Sequence, residues 1–116
     1  MIILMDIITR STILMPKHRR RMRQLGERLK LARLRRSLPA GQVAERAGVS
    51  RATLHKIESG EPNVAMGSFF QVLRVLGVEE DFDRLAADDE MGRKLQDLNL
   101  VAKKRAPKRK ISDERA

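Results

Sequence analysis

The stretch "GQVAERAGVSRATLHKIESG", positions 41–60, constrains this chain more than any other. It holds two short helical patterns with almost nothing between them. Val43, Ala44 and Ala47 share one face of the first pattern; Leu54 and Ile57 share one face of the second. Gly48 interrupts them, and glycine tolerates the left-handed backbone that ends a helix. Val49 plugs the corner, and Ser50 suits the N-cap of the helix that follows. A chain that ends a helix after two turns and starts another at once must set the second at a steep angle to the first. The second helix then projects from the surface.

The flanks supply a body for it to project from. Met22, Leu25, Leu29 and Ala32 recur at spacings of three and four, which predicts helix one from Lys17 to about Arg36. Leu31, Leu34 and Leu38 widen its apolar stripe. Pro39 stops that helix and stands where the next can begin. Helix two is predicted over Ala40–Ala47. Helix three follows Ser50 and runs to about Ser59, where Gly60 closes it. Helix four spans about Ala65 to Leu76 with Phe69, Val72, Leu73 and Leu76 inward. A short helix five, about Glu80 to Ala87, turns Phe82 and Leu85 inward. "MGRKLQDLNLV" reads as one more turn of helix or as a strand. Two helices joined by a short glycine-containing turn form a helix-turn-helix. Its first helix needs a small residue where the second crosses it, and Ala44 is that residue.

Composition agrees with an all-α domain. Aromatics are 3% of the 116 residues, with no Trp or Tyr, so the core must be aliphatic. No Cys is present, which removes disulfides, thiolate metal sites and cysteine nucleophiles. His18 and His55 stand far apart without carboxylates at ligand spacing, so neither a metal nor a cofactor is expected. No nucleophile–base pair or Gly-rich phosphate loop is found, and an enzyme is not expected. The net charge is +10, unevenly placed. Lys17–Arg36 holds ten Lys or Arg and one acid, and Lys103–Ala116 holds seven and two. Glu79–Glu90 reverses the sign with seven acids and one arginine. Such a basic excess attracts polyanions, nucleic acid first and an anionic membrane surface second.

The opening "MIILMDIITRSTILM" is too short to span a bilayer and lacks the parts of a signal peptide. It reads either as a β-strand, whose edge a twin in a dimer would cover, or as a disordered leader with Met15 or Met22 as a later start. Three segments are therefore expected: an apolar leader over 1–16, a DNA-binding domain over 17–90, and a C-terminal segment with a disordered basic tail over 91–116.

Residues 25–78, "LGERLKLARLRRSLPAGQVAERAGVSRATLHKIESGEPNVAMGSFFQVLRVLGV", resemble the Xre/Cro family of phage-repressor-like DNA-binding domains. The Ala44–Gly48 spacing, "GVSRATLHKIESG" and "LRVLGV" carry the likeness. The resemblance implies a compact five-helix, lambda-repressor-like bundle whose helix three enters the major groove. It implies a structural ion pair between Arg33 and Glu58. The family's phosphate-holding Gln at the start of helix two is replaced by Ala40, with Gln42 half a turn away. DNA contact is then expected from Gln42, Ser50, Arg51, Ala52, Thr53, His55 and Lys56. Arg51 is the choice for a guanine O6/N7 edge and Ala52 for a thymine methyl. The run "KHRRRMRQ" before the core suits the phosphate backbone or minor groove.

"SGEPNVAMGSFFQVLRVLGV", the acidic linker, "GRKLQDLNL" and the basic tail look like the HipB-type antitoxin branch. That likeness implies a cytoplasmic, dimeric repressor of its own operon that binds a HipA-like serine/threonine kinase toxin. The long N-terminal segment and Ala65, in place of a capping Ser, depart from the pattern. The alternative is a stand-alone, phage-like regulator without a toxin partner.

Overall fold

The computed structural model describes residues 12–98. Among them are five α-helices, one 3-10 helix and no strand. The expected N-terminal strand and the C-terminal basic tail lie outside the described residues. The α-helices are α1 (Pro16–Arg35), α2 (Ala40–Ala47), α3 (Arg51–Ser59), α4 (Met66–Leu76) and α5 (Glu90–Asp97). Contacts divide the chain into two compact units, with the boundary between Asp81 and Phe82.

The first unit is a compact all-helical bundle of α1–α4. Its core is aliphatic: Leu29 from α1, Val43, Ala44 and Ala47 from α2, Leu54 and Ile57 from α3, and Val72, Leu73 and Leu76 from α4. Ala44 is only 2% exposed. The widened stripe expected on α1 does not form. Leu31 and Leu34 are 47% and 51% exposed, and Met22, Leu25, Ala32 and Leu38 are half-buried. The contact of α1, mostly with α3 and to a lesser degree with α4, covers a narrow stripe that Gly26, Leu29 and Arg33 fill. Phe69 is half-buried rather than central.

The turn between α1 and α2 differs in one detail from the proline stop. Ser37, two residues before Pro39, takes the left-handed conformation at φ 53°. The Leu38 N–H then reaches back to the Arg33 carbonyl at 3.2 Å. Gly48 does the same work between α2 and α3 at φ 70°, with the Val49 N–H on the Ala44 carbonyl at 3.0 Å. The free end of α2 gains a further donor, because an Arg74 Nη bonds the Arg46 carbonyl at 3.2 Å.

The expected fifth helix is a 3-10 helix, Glu79–Arg84. Ala86 takes the left-handed conformation at φ 58°, so the helical run stops short of Ala87. Leu85, expected inward, is 68% exposed. In the second unit α5 makes the first part of "MGRKLQDLNLV", Met91 to Asp97, helix, with Leu98 as its C-cap; residues 99–101 lie outside the described residues. Asp89 caps it by accepting from the Gly92 N–H at 3.0 Å, and Arg93 donates to Asp88 at 2.9 Å. No residue of α5 is buried. Met91, Leu95 and Leu98 form an exposed stripe at spacings of four and three.

Candidate nucleic-acid interface

The outward helix of the motif is α3. Nine residues give it two and a half turns, of which only Leu54 and Ile57 are buried. A hundred degrees per residue then places Arg51, Ala52, His55, Lys56 and Ser59 on the opposite side, and all five are exposed. Their charge is cationic, with no acid among them.

Ser50 and Thr53 stand apart from that face. The Thr53 N–H donates to the Ser50 hydroxyl at 3.0 Å, and that hydroxyl donates to the Thr53 hydroxyl at 3.0 Å. Thr53 is half-buried. Both are engaged in the N-cap, where the Thr53 hydroxyl only accepts and keeps its own proton free to donate. Gln42 is half-buried in the first turn of α2, where its N–H bonds the Pro39 carbonyl at 3.1 Å. Arg51 lies close to that turn. A Cβ built on Gly41 would lie 3.3 Å from Cζ, Nε and one Nη of Arg51. The guanidinium therefore rests against the N-terminal end of α2, where the backbone N–H groups carry partial positive charge.

Two devices fix α3 against α1. Arg33 Nε donates to one Glu58 oxygen at 2.7 Å and one Nη to the other at 3.1 Å. The second Nη donates to the Leu38 carbonyl at 3.0 Å. One side chain thus ties α1, α3 and the α1–α2 turn. Each partner's side chain is 10% exposed. The hydrogen bond that Arg33 donates to Glu58 raises its pKa above the ordinary value, opposed by burial and reinforced by the carboxylate's charge. The second device is backbone contact. A Cβ on Gly26 would sit 2.6 Å from the Glu58 carbonyl oxygen and 2.8 Å from the Gly60 nitrogen. A Cβ on Gly60, at φ 78°, would sit 2.6 Å from the backbone of Arg23. Only glycine fits at either point.

Sequence reasoning missed Ser59, which continues the line of His55 and approaches its Nε2 at 3.5 Å, the long limit for such a bond. It also missed Gly26. The available signal was a glycine inside a long helix, where it costs about 1 kcal/mol relative to alanine and so needs a packing reason.

A family model described as a helix-turn-helix domain matches residues 24–85, more than half of the chain. The chain belongs to this helix-turn-helix domain family. It is thereby an Xre-like DNA-binding regulator in type, and the match spans α1 from Gln24, all of α2–α4, and the 3-10 helix. No curated protein matches the chain. Among the described residues, no group of three His, Cys, Asp or Glu is placed to hold a metal. No helix there is long and apolar enough to cross a membrane.

Proposed function

We propose that this helix-turn-helix protein is a sequence-specific transcriptional repressor that inserts α3 into the major groove of its operator. The observation that carries this reading is the exposed face of α3. It is cationic, free of acids, and backed by a helix that Arg33, Glu58, Gly26 and Gly60 hold in place. On this reading Arg51 swings from Gly41 to a guanine edge, Ala52 meets a thymine methyl, and His55 and Lys56 contact bases or phosphates. Ser50, Thr53 and Gln42 stand at the rim, near the backbone. The DNA-binding unit is taken as residues 17–90, acting in the cytoplasm.

One such domain covers one half-site, so the operator-bound species is proposed as a homodimer. The protein-binding surface is proposed in residues 91–116. Its described part carries Met91, Leu95 and Leu98 exposed along one side of α5. That stripe favours a protein partner, and the likeness of "GRKLQDLNL" to the HipB-type branch makes a HipA-like kinase toxin the partner proposed.

The test is fluorescence anisotropy with DNA from upstream of the chain's own reading frame and a shuffled control. The expected result is preference for the former, and a loss of about 1–3 kcal/mol on that duplex alone for Arg51→Ala. Equal binding to both duplexes with a silent mutation would overturn the base-reading assignment. Co-expression with the product of the adjacent reading frame tests the toxin partner; failure to co-purify removes it.

A further inference from the structure

Beyond the C-terminal end of α3 lies a cavity of about 350 Å³ that the reading of α3 leaves unused. Its walls include Arg19 and Arg23 of α1, Ser59 and Gly60 at the end of α3, and Glu61 and Asn63 of the following loop. The segment before α1 closes one side, and there the Thr12 N–H donates to Asn63 Oδ1 at 2.7 Å. We propose that this cavity seats a phosphodiester of the bound duplex, with Arg19 and Arg23 as its cationic wall; the proposal rests on the DNA-binding reading of α3.

Three observations carry it. First, the cavity continues the α3 face. Ser59 belongs to both, in line with His55 on the face and lining the cavity at its end. On the DNA-binding reading of α3, a strand bordering its groove would pass this point. Second, the charge is uncommitted. Neither Arg19 nor Arg23 has an ion-pair partner among the described residues, and both are exposed. Spaced by four, they stand on one side of α1, the side on which Gly26 meets α3. Glu61 opposes them with one carboxylate, which leaves a positive excess. Third, the cavity is open to solvent on one side and much larger than one bound water needs, so it admits a phosphate that stays attached to its chain.

The test compares wild type with Arg19→Gln/Arg23→Gln, Arg28→Gln/Arg35→Gln and Arg51→Ala on both duplexes, between about 50 and about 200 mM salt. Arg28 and Arg35 are exposed and lie about half a turn around α1 from the cavity, so their variant removes the same charge elsewhere. The expected result is a fall of about 1 in the salt slope for Arg19→Gln/Arg23→Gln, equal on both duplexes, with little change for Arg28→Gln/Arg35→Gln. Equal falls for the two double variants would mean a diffuse field and would overturn the seat. An unchanged slope for Arg19→Gln/Arg23→Gln, with Arg51→Ala still impaired, would overturn the seat and leave the role of α3 standing. A wild type that binds neither duplex would end both readings. Inorganic phosphate that saturates the cavity while the slopes stay unchanged would reassign it to a small anion and also overturn the proposal.

Discussion

Replacing Arg33 by methionine asks how firmly α3 is held. Methionine keeps an apolar stem of similar reach and removes the guanidinium. Two hydrogen bonds to Glu58 and one to the Leu38 carbonyl are lost together. The Glu58 side chain, 10% exposed, is left charged and without its partner. Orphaning one member of a buried pair costs about 3–5 kcal/mol. The lower end applies, because water can reach the carboxylate through its exposed edge. A loss of about 3 kcal/mol is a large part of the ~5–15 kcal/mol that holds a domain of this size. The chain has no Trp or Tyr, so urea unfolding is followed by far-UV circular dichroism. With a slope of about 1–3 kcal/mol per molar, the midpoint falls by about 1–3 M. Arg33→Met/Glu58→Leu leaves no orphaned charge and recovers much of the loss. The pH dependence follows from sign. The Arg33 pKa is raised in the folded state, so its contribution is complete below the unfolded pKa and fades only as pH rises through the higher folded value. Both lie in the strongly alkaline range, and Arg33 itself adds no slope near neutrality. A single variant that loses less than about 1 kcal/mol, the value of an exposed pair, would refute the reasoning. So would a double variant as unstable as the sum of the singles.

Gly26→Ala drives a methyl into the backbone of α3 and costs at least about 1–3 kcal/mol in the same urea assay, despite alanine's better helix propensity. Leu54→Ala, at a site 1% exposed, costs about 3–5 kcal/mol in the midpoint-derived stability. Ser50→Ala removes the cap from Thr53 and costs about 1 kcal/mol, read by thermal melting. Ser37→Gly relieves a left-handed serine and raises stability by up to about 1 kcal/mol in the same melt.

The parts of this fold that sequence makes legible are those governed by local chemistry. Gly48 and Ser50 mark the turn because one accepts a positive φ and the other caps a helix, and both requirements sit within three residues. The buried residues of α2 and α3 follow from periodicity for the same reason. Leu31 and Leu34 break the pattern: an apolar residue on a helix is inward only if something covers it, and nothing in the sequence of α1 reveals how narrow its contact is. The 3-10 helix at Glu79–Arg84 is shorter than periodicity predicts, because the chain turns left-handed at Ala86. The cationic side of α3 is visible as soon as Leu54 and Ile57 are set inward. The rest of the site is not. That Arg51 rests on Gly41, or that Arg19 and Arg23 line one cavity with Ser59, depends on where helices far apart in sequence cross.

A reading helix of this length has a mechanical problem. Two buried side chains, Leu54 and Ile57, hold it down, and two contacts leave a short rod free to tilt. Major-groove recognition tolerates little tilt, since a bidentate hydrogen bond fails when its donor moves by about an ångström. More apolar bulk on α3 is no remedy, because each added buried residue removes one from the five-residue face that reads. The chain adds constraint without using that face. Ser50 fixes the start of α3, Arg33 grips Glu58 near its end, and Gly26 and Gly60 bring two backbones into direct contact just beyond. The constraints sit at both ends of the rod, where they oppose tilt with the longest lever arm. Substitutions at Arg33 or Gly26 should therefore lower sequence discrimination more than total DNA affinity. Charge alone sustains non-specific binding, whereas base contacts need the helix in register. Measuring both duplexes with Gly26→Ala at a temperature where the variant is folded decides this, and a uniform loss on both would show that α3 reads without such alignment.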